Sequence, residues 1–187
     1  MKKIISLISL SLISTIMFSF IAVEKTSSQA DTIQDYELML GEFDLKDLKA
    51  TENKTWFSTI YNEFTPDPEV VKTIQSELQT DEFNISIYMG TWCKDSRREF
   101  PHLIKLLEQA DFDLQDLKIV GVARDKVVPK ASEEERKQLN ITNVPTIIVY
   151  DKDGQELNRF VEFAQETLEK DLLKIISGAD YKHVYDF

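Results

Sequence analysis

The chain has 187 residues, 42% hydrophobic and 10% aromatic, with five glycines and five prolines; this is apolar material for one folded core, and it excludes collagen-like, low-complexity and wholly disordered classes. A formal charge of -11 at pH 7 gives an acidic surface that repels a phosphate backbone, so no nucleic acid partner is expected. One cysteine, Cys93, and two histidines, His102 and His183, cannot assemble Cys/His ligands at metal spacing, so neither a metal nor another cofactor is expected.

Residues 1–30 stand apart in composition. Lys2 and Lys3 precede an uncharged apolar run from Ile4 to Val23, and Ser28-Gln29-Ala30 supplies small residues of the kind found at cleavage sites. The pattern predicts a secretory signal peptide or an N-terminal anchor, and therefore an exported, extracytoplasmic or secreted protein. If it is retained, residues 4–23 approach the length that spans a bilayer and provide the sole expected membrane association. An exported chain with a single thiol cannot close an internal disulfide, so Cys93 is either a buried apolar filler or a group that meets another molecule's sulfur.

Residues 31–80 read as a helical extension of the core. Ile33, Tyr36, Leu40 and Phe43 share one helical face, and Trp56, Ile60 and Phe64 recur at four-residue spacing. Thr65-Pro66-Asp67-Pro68 interrupts this pattern, and the proline opens a further helix through Val70, Val71, Ile74 and Leu78.

From residue 81 the signals alternate. Phe83 to Met89 reads as a buried strand ending at Gly90, and Phe100, Leu103, Ile104 and Leu107 form the apolar stripe of a helix that Pro101 is expected to kink. Lys118 to Ala123 is a second strand, and Ser132 with Glu135 makes a capping box for a short polar helix through Leu139. Ile147 to Tyr150 and Glu156 to Phe163 flank the Asp153-Gly154 turn as a hairpin, and Leu168, Leu172, Ile175 and Ile176 mark a last helix that Gly178 can end. The order β-α-β-α-β-β-α over residues 81–187 describes an α/β domain, a central sheet with helices on its faces.

The chemistry is concentrated between Gly90 and Pro101, in GTWCKDSRREFP. Cys93 falls where a strand ends and a helix begins. Unpaired N–H groups and the helix dipole favour a thiolate at that place. Lys94, Arg97 and Arg98 add positive potential, Asp95 opposes it, and the Ser96 hydroxyl is within sequence reach of the sulfur. His102 is nine residues along the helix, about 13 Å in rise and on the opposite side, too remote to act as a base.

A strand, then Trp92-Cys93-x-x-Ser96, then Pro101 in the following helix, then Val144-Pro145-Thr146 ahead of a hairpin, together resemble the thioredoxin superfamily over about residues 80–178. The resemblance implies a thioredoxin-like mixed sheet flanked by helices, with residues 31–80 added at its N-terminal side. It implies a nucleophilic Cys93 and a cis bond at Pro145, with Trp92, Val144, Pro145 and Thr146 lining a groove in which an extended partner pairs with the backbone of Val144. Two departures bear on mechanism. Ser96 stands where the resolving cysteine would be, and Ile87 stands where the family carries a buried acid.

These features lead to an exported monothiol protein that exchanges disulfides through Cys93 with protein or low-molecular-weight partners, an external thiol completing the reaction. The alternative is a redox-inactive binding module that uses the same proline groove to hold a protein. A peroxide reductase is a weaker option, because no Thr or second Cys stands at supporting spacing. Tyr36, Trp56, Phe57 and Phe64 are expected in core packing, and the Glu133 to Lys137 run on an exposed helix face.

Overall fold

The structure is a computed structural model that describes residues 36–187; the expected targeting segment at 1–30 lies outside the described residues, as does Ile33. The sheet is organised around β2, Asn84–Met89, whose residues from Ile85 onward are all buried. A strand covered on both faces must be central. It pairs in parallel with β3, Leu117–Gly121, with Ile87 opposite Ile119, and antiparallel with β4, Thr146–Tyr150, with Ile87 opposite Ile147. β5, Glu156–Val161, closes the hairpin with β4, and β1, Gly41–Glu42, adds antiparallel to β3. The strand order is β1-β3-β2-β4-β5.

The parallel β2–β3 pair needs a crossover. It is supplied by α4, Lys94–Gln109, and a 3-10 turn at Leu114–Asp116. The stripe Phe100, Leu103, Ile104 and Leu107 is fully buried, as the spacing predicts. The helix runs through Pro101 to Gln109 without interruption, although that proline supplies no N–H to its ladder.

Side chains alternate across the sheet. Ile85, Ile87 and Met89 join the larger core with residues of α2, Asn53–Glu63, α3, Pro68–Leu78, α4 and α6, Leu168–Ile176. Tyr88, Val120, Val122 and Ile148 point to the opposite face, where they meet Val128 and Val144, with Leu139 of α5, Glu133–Leu139, packed alongside. Both halves of the capping box form: the Glu135 N–H donates to Ser132 Oγ at 3.2 Å and the Ser132 N–H to Glu135 Oε2 at 2.7 Å. In α3 the side chain of Asp67 accepts the N–H groups of Glu69 and Val70, with Pro68 in the first turn where its missing N–H costs nothing. Phe57 of α2 lies with its ring centroid 5.6 Å from that of Phe100, which ties the N-terminal helices to α4.

The helix expected from the spacing of Tyr36, Leu40 and Phe43 is replaced by extended chain. Residues 37–40 carry no regular structure and Gly41–Glu42 is β1; the helices of this region are α1, Leu45–Lys49, with α2 and α3. The same apolar residues also satisfy a period of two, with Met39, Gly41 and Phe43 less exposed than Leu38, Leu40 and Glu42. Tertiary bonds decide the matter. Asn53 Oδ1 accepts the Glu37 N–H at 2.9 Å, Asn53 Nδ2 donates to the Glu37 carbonyl at 2.8 Å, and the Met39 N–H donates to Thr91 Oγ1 at 3.4 Å. Gly121 makes the crossing possible, since a Cβ there would stand 2.2 Å from the Met39 carbonyl oxygen. Gly41 itself has φ +82, a value unsuited to a helix of L-residues.

Candidate functional site

β2 ends at Met89, and Gly90-Thr91-Trp92 turns the chain into α4 with Cys93 as its N-cap residue. The Cys93 N–H donates to the Gly90 carbonyl at 2.9 Å, and its own carbonyl accepts the Arg97 N–H at 3.0 Å, opening the helix. The thiol is partly exposed. Its Sγ donates to the Val144 carbonyl at 3.2 Å across 51 residues of sequence.

The facing loop is held on both sides. Val144-Pro145 is a cis peptide bond. The Pro145 carbonyl accepts the Glu162 N–H at 2.7 Å, and Thr146 Oγ1 donates to the Asn143 carbonyl at 2.8 Å. Thr146 then begins β4 opposite Tyr88. Cys93 and the segment Val144-Pro145-Thr146, distant in sequence, therefore lie together where β2 ends and β4 begins, in the middle of the sheet.

Ser96 occupies a different role from the one its spacing suggests. Its side chain is fully buried and Oγ accepts the Gly90 N–H at 3.1 Å, so it braces the turn beneath Cys93 while the sulfur turns to Val144. Lys94, next to Cys93 in the chain, is exposed. Asp95 pairs with Arg98 at 2.8 Å, and Arg98 Nε meets Glu99 at 2.7 Å. Although burial works against the guanidinium charge, the carboxylates of Glu99 and Asp95 hold Arg98 above its ordinary value. That positive charge is committed to carboxylates rather than to the sulfur.

Trp92 is pinned by its indole N–H, which donates to the Val122 carbonyl at 2.8 Å. A Cβ on Gly90 would fall 2.5 Å from that ring, so only glycine lets the indole fold back over the turn. The Arg124 guanidinium lies 4.9 Å from the ring centroid and reaches the Tyr36 hydroxyl at 3.4 Å, while Arg97 lies 5.7 Å from the centre of the Tyr36 ring. His102 stacks on Phe64 with centroids 4.0 Å apart, and His183 sits 3.6 Å from Asp186 in the tail. Ile87 is buried in the apolar core.

Tyr36 packs against the core as its sequence suggested and also meets Arg97 and Arg124, whereas Arg124, Asn143, Glu162 and Tyr185 were not singled out by sequence reasoning. The Glu162 carboxylate accepts Asn143 Nδ2 at 2.8 Å and also the Tyr185 hydroxyl. Its bond to Tyr185, with burial and the nearby Asp95 charge adding to the effect, pushes that phenol up to about 12. Neighbouring sequence held one usable signal: Asn143 directly precedes Val144-Pro145. Among the described residues no group of three or more His, Cys, Asp or Glu is placed to hold a metal ion.

The thioredoxin family profile matches residues 44–174, most of the chain. The chain belongs to the thioredoxin family. This thioredoxin-family match begins ahead of α1 and so takes in the helices before β2 as well as the sheet. No curated protein matches the chain. Among solved structures, a protein of unknown function from Pseudomonas aeruginosa is similar over 74% of this chain and 83% of its own, with 16% identity and a TM-score of 0.47. Mitochondrial thioredoxin 3 of Saccharomyces cerevisiae, in its oxidised form, is similar over 63% of this chain and 97% of its own, with 22% identity and a TM-score of 0.35.

Proposed function

We propose that this thioredoxin-family protein performs thiol-disulfide exchange through Cys93 as a monothiol. The observation that carries the reading is a partly exposed sulfur at the start of α4, 3.2 Å from the carbonyl of Val144 beside Pro145. As a thiolate, Sγ attacks one sulfur of a partner disulfide: a new S–S bond forms, the partner's bond breaks, and its second sulfur leaves with the electron pair. Ser96 is an alcohol and the chain has no second cysteine, so an external thiol must attack the mixed disulfide and free Cys93. The Val144 backbone offers an extended partner a place to pair while its sulfur is brought to Cys93.

Export is part of the proposal and rests on the pattern of residues 2–30; intact mass of the protein recovered outside the cytoplasm tests removal near Ala30. Among the described residues no helix is long and apolar enough to cross a membrane. The binding-module reading uses the same groove without turnover, and the observation in its favour is that Ser96 Oγ is engaged by Gly90 rather than by the sulfur.

Cys93→Ser separates the two readings. The exchange reading expects covalent adducts on the native protein, released by reductant and absent from the variant, with partner turnover lost. Retained partner binding and retained biological activity in Cys93→Ser would instead support the binding module.

A further inference from the structure

We propose that the C-terminal tail forms a second wall of the groove beside Cys93, selecting polypeptide partners that carry an aromatic and a basic side chain next to the cysteine they present. This rests on the exchange reading above and adds the class of partner to it.

The tail is anchored by residues that have no part in the chemistry. Tyr181 is buried; its hydroxyl donates to Asp171 Oδ2 at 3.2 Å, and its carbonyl accepts Asn158 Nδ2 at 2.9 Å. Gln165 Nε2 donates to the Lys182 carbonyl at 3.2 Å. From there the chain carries Tyr185 to Glu162. That carboxylate also holds Asn143, and the Glu162 N–H holds the Pro145 carbonyl. Tyr185 is thus placed beside the proline loop that faces Cys93.

This wall has the composition of a binding surface. Phe163 is 45% exposed and Tyr185 42%, their ring centroids 6.4 Å apart and edge-on, and Phe187 is fully exposed. The paired Phe163 and Tyr185 rings supply an apolar contact surface for a partner side chain. Among the described residues Glu162 meets only the neutral donors Asn143 and Tyr185, so its negative charge is left for a visiting cation. Lys94, the opposing charge nearest the thiol in sequence, is exposed.

Sheet order gives the groove a polarity. Arg124 follows β3 on one side of β2, whereas Glu162 follows β5 on the other. An extended segment crossing the strand ends past Cys93 therefore meets cationic character near Trp92 and anionic, aromatic character at the tail. A basic residue flanked by an aromatic fits the tail side.

The test follows attack of the full-length protein on synthetic peptides whose single cysteine is capped as a mixed disulfide with thionitrobenzoate; Cys93 bonds to the peptide sulfur and thionitrobenzoate leaves as the coloured thiolate. Peptides with Phe-Lys on either side of the cysteine are compared with Ser-Glu peptides of equal length. The expected second-order rate is about tenfold higher for the better Phe-Lys peptide, and this ratio shrinks to within about twofold in Glu162→Gln and in Tyr185→Phe, which keeps the ring and loses the bond. Deleting residues 184–187 covers the case in which either substitution perturbs folding. Equal rates for all peptides in the native protein, or an undiminished ratio in all three variants, overturns the tail proposal and leaves the exchange reading standing. No peptide adduct on Cys93 at all removes both.

Discussion

Asn53 fastens the extended segment before β1 to α2, and Asn53→Ala measures that connection. Its side chain is fully buried and makes three bonds: it accepts from the Glu37 N–H and from Trp56 Nε1 at 3.0 Å, and it donates to the Glu37 carbonyl. Truncation leaves the indole N–H of buried Trp56 without its acceptor, a cost of about 1–3 kcal/mol. The two Glu37 backbone groups are nearer solvent and exchange their bonds for water, at roughly 0.5–1.5 kcal/mol each. Taken together the expected loss is about 2–6 kcal/mol, a large part of the roughly 5–15 kcal/mol that stabilises a domain. Urea unfolding with an unchanged slope reads it directly. The same variant should raise amide exchange at Gly41 and Glu42, because β1 pairs with β3 only while the preceding chain is held. A loss below about 1 kcal/mol, or full loss with β1 protection intact, would refute the idea that Asn53 fastens this segment.

Other outcomes follow from the same geometry. Ser96→Cys places a second sulfur one turn from Cys93, and insulin reduction should rise on the order of tenfold or more, at a cost of about 1 kcal/mol because sulfur is a weak acceptor for the Gly90 N–H; no gain would mean that position 96 cannot reach Cys93. Gly121→Ala drives a methyl against the Met39 carbonyl, and it should destabilise by about 1–3 kcal/mol in urea melts and loosen β1 in hydrogen exchange. Glu135 is held below its ordinary value of 4.5, chiefly by the Ser132 backbone N–H. A depressed carboxylate contributes stability that is present above the unfolded value and lost as pH falls through the folded one, so α5 should fray on acidification below pH 4.5. Protection of the Ser132 amide follows this in NMR, and Glu135→Ala should abolish the pH dependence.

Much of the fold was legible because it is written in short-range periodicity. The stripe Phe100, Leu103, Ile104 and Leu107, the capping box at Ser132 and Glu135, and the alternation of Ile85, Ile87 and Met89 each specify an element without help from distant chain. Cys93 at a helix start is of the same kind, since strand end and helix start are both local signals. Residues 36–43 were misread because their apolar spacing serves a helix and a strand alike, and hydrogen bonds from Asn53 and Thr91 made the choice.

What the amino-acid order determined alone was the helices α2 and α3, the elements from β2 onward, the single thiol and the missing resolving cysteine. Only the tertiary structure decided which groups surround that thiol. Val144 reaches Cys93 across 51 residues, Ser96 turns inward to Gly90, and Tyr185 meets Glu162 across 23. Such contacts follow from strand order and from how the tail packs, and neither leaves a periodic trace in the sequence because each depends on one pair of positions brought together by the whole fold.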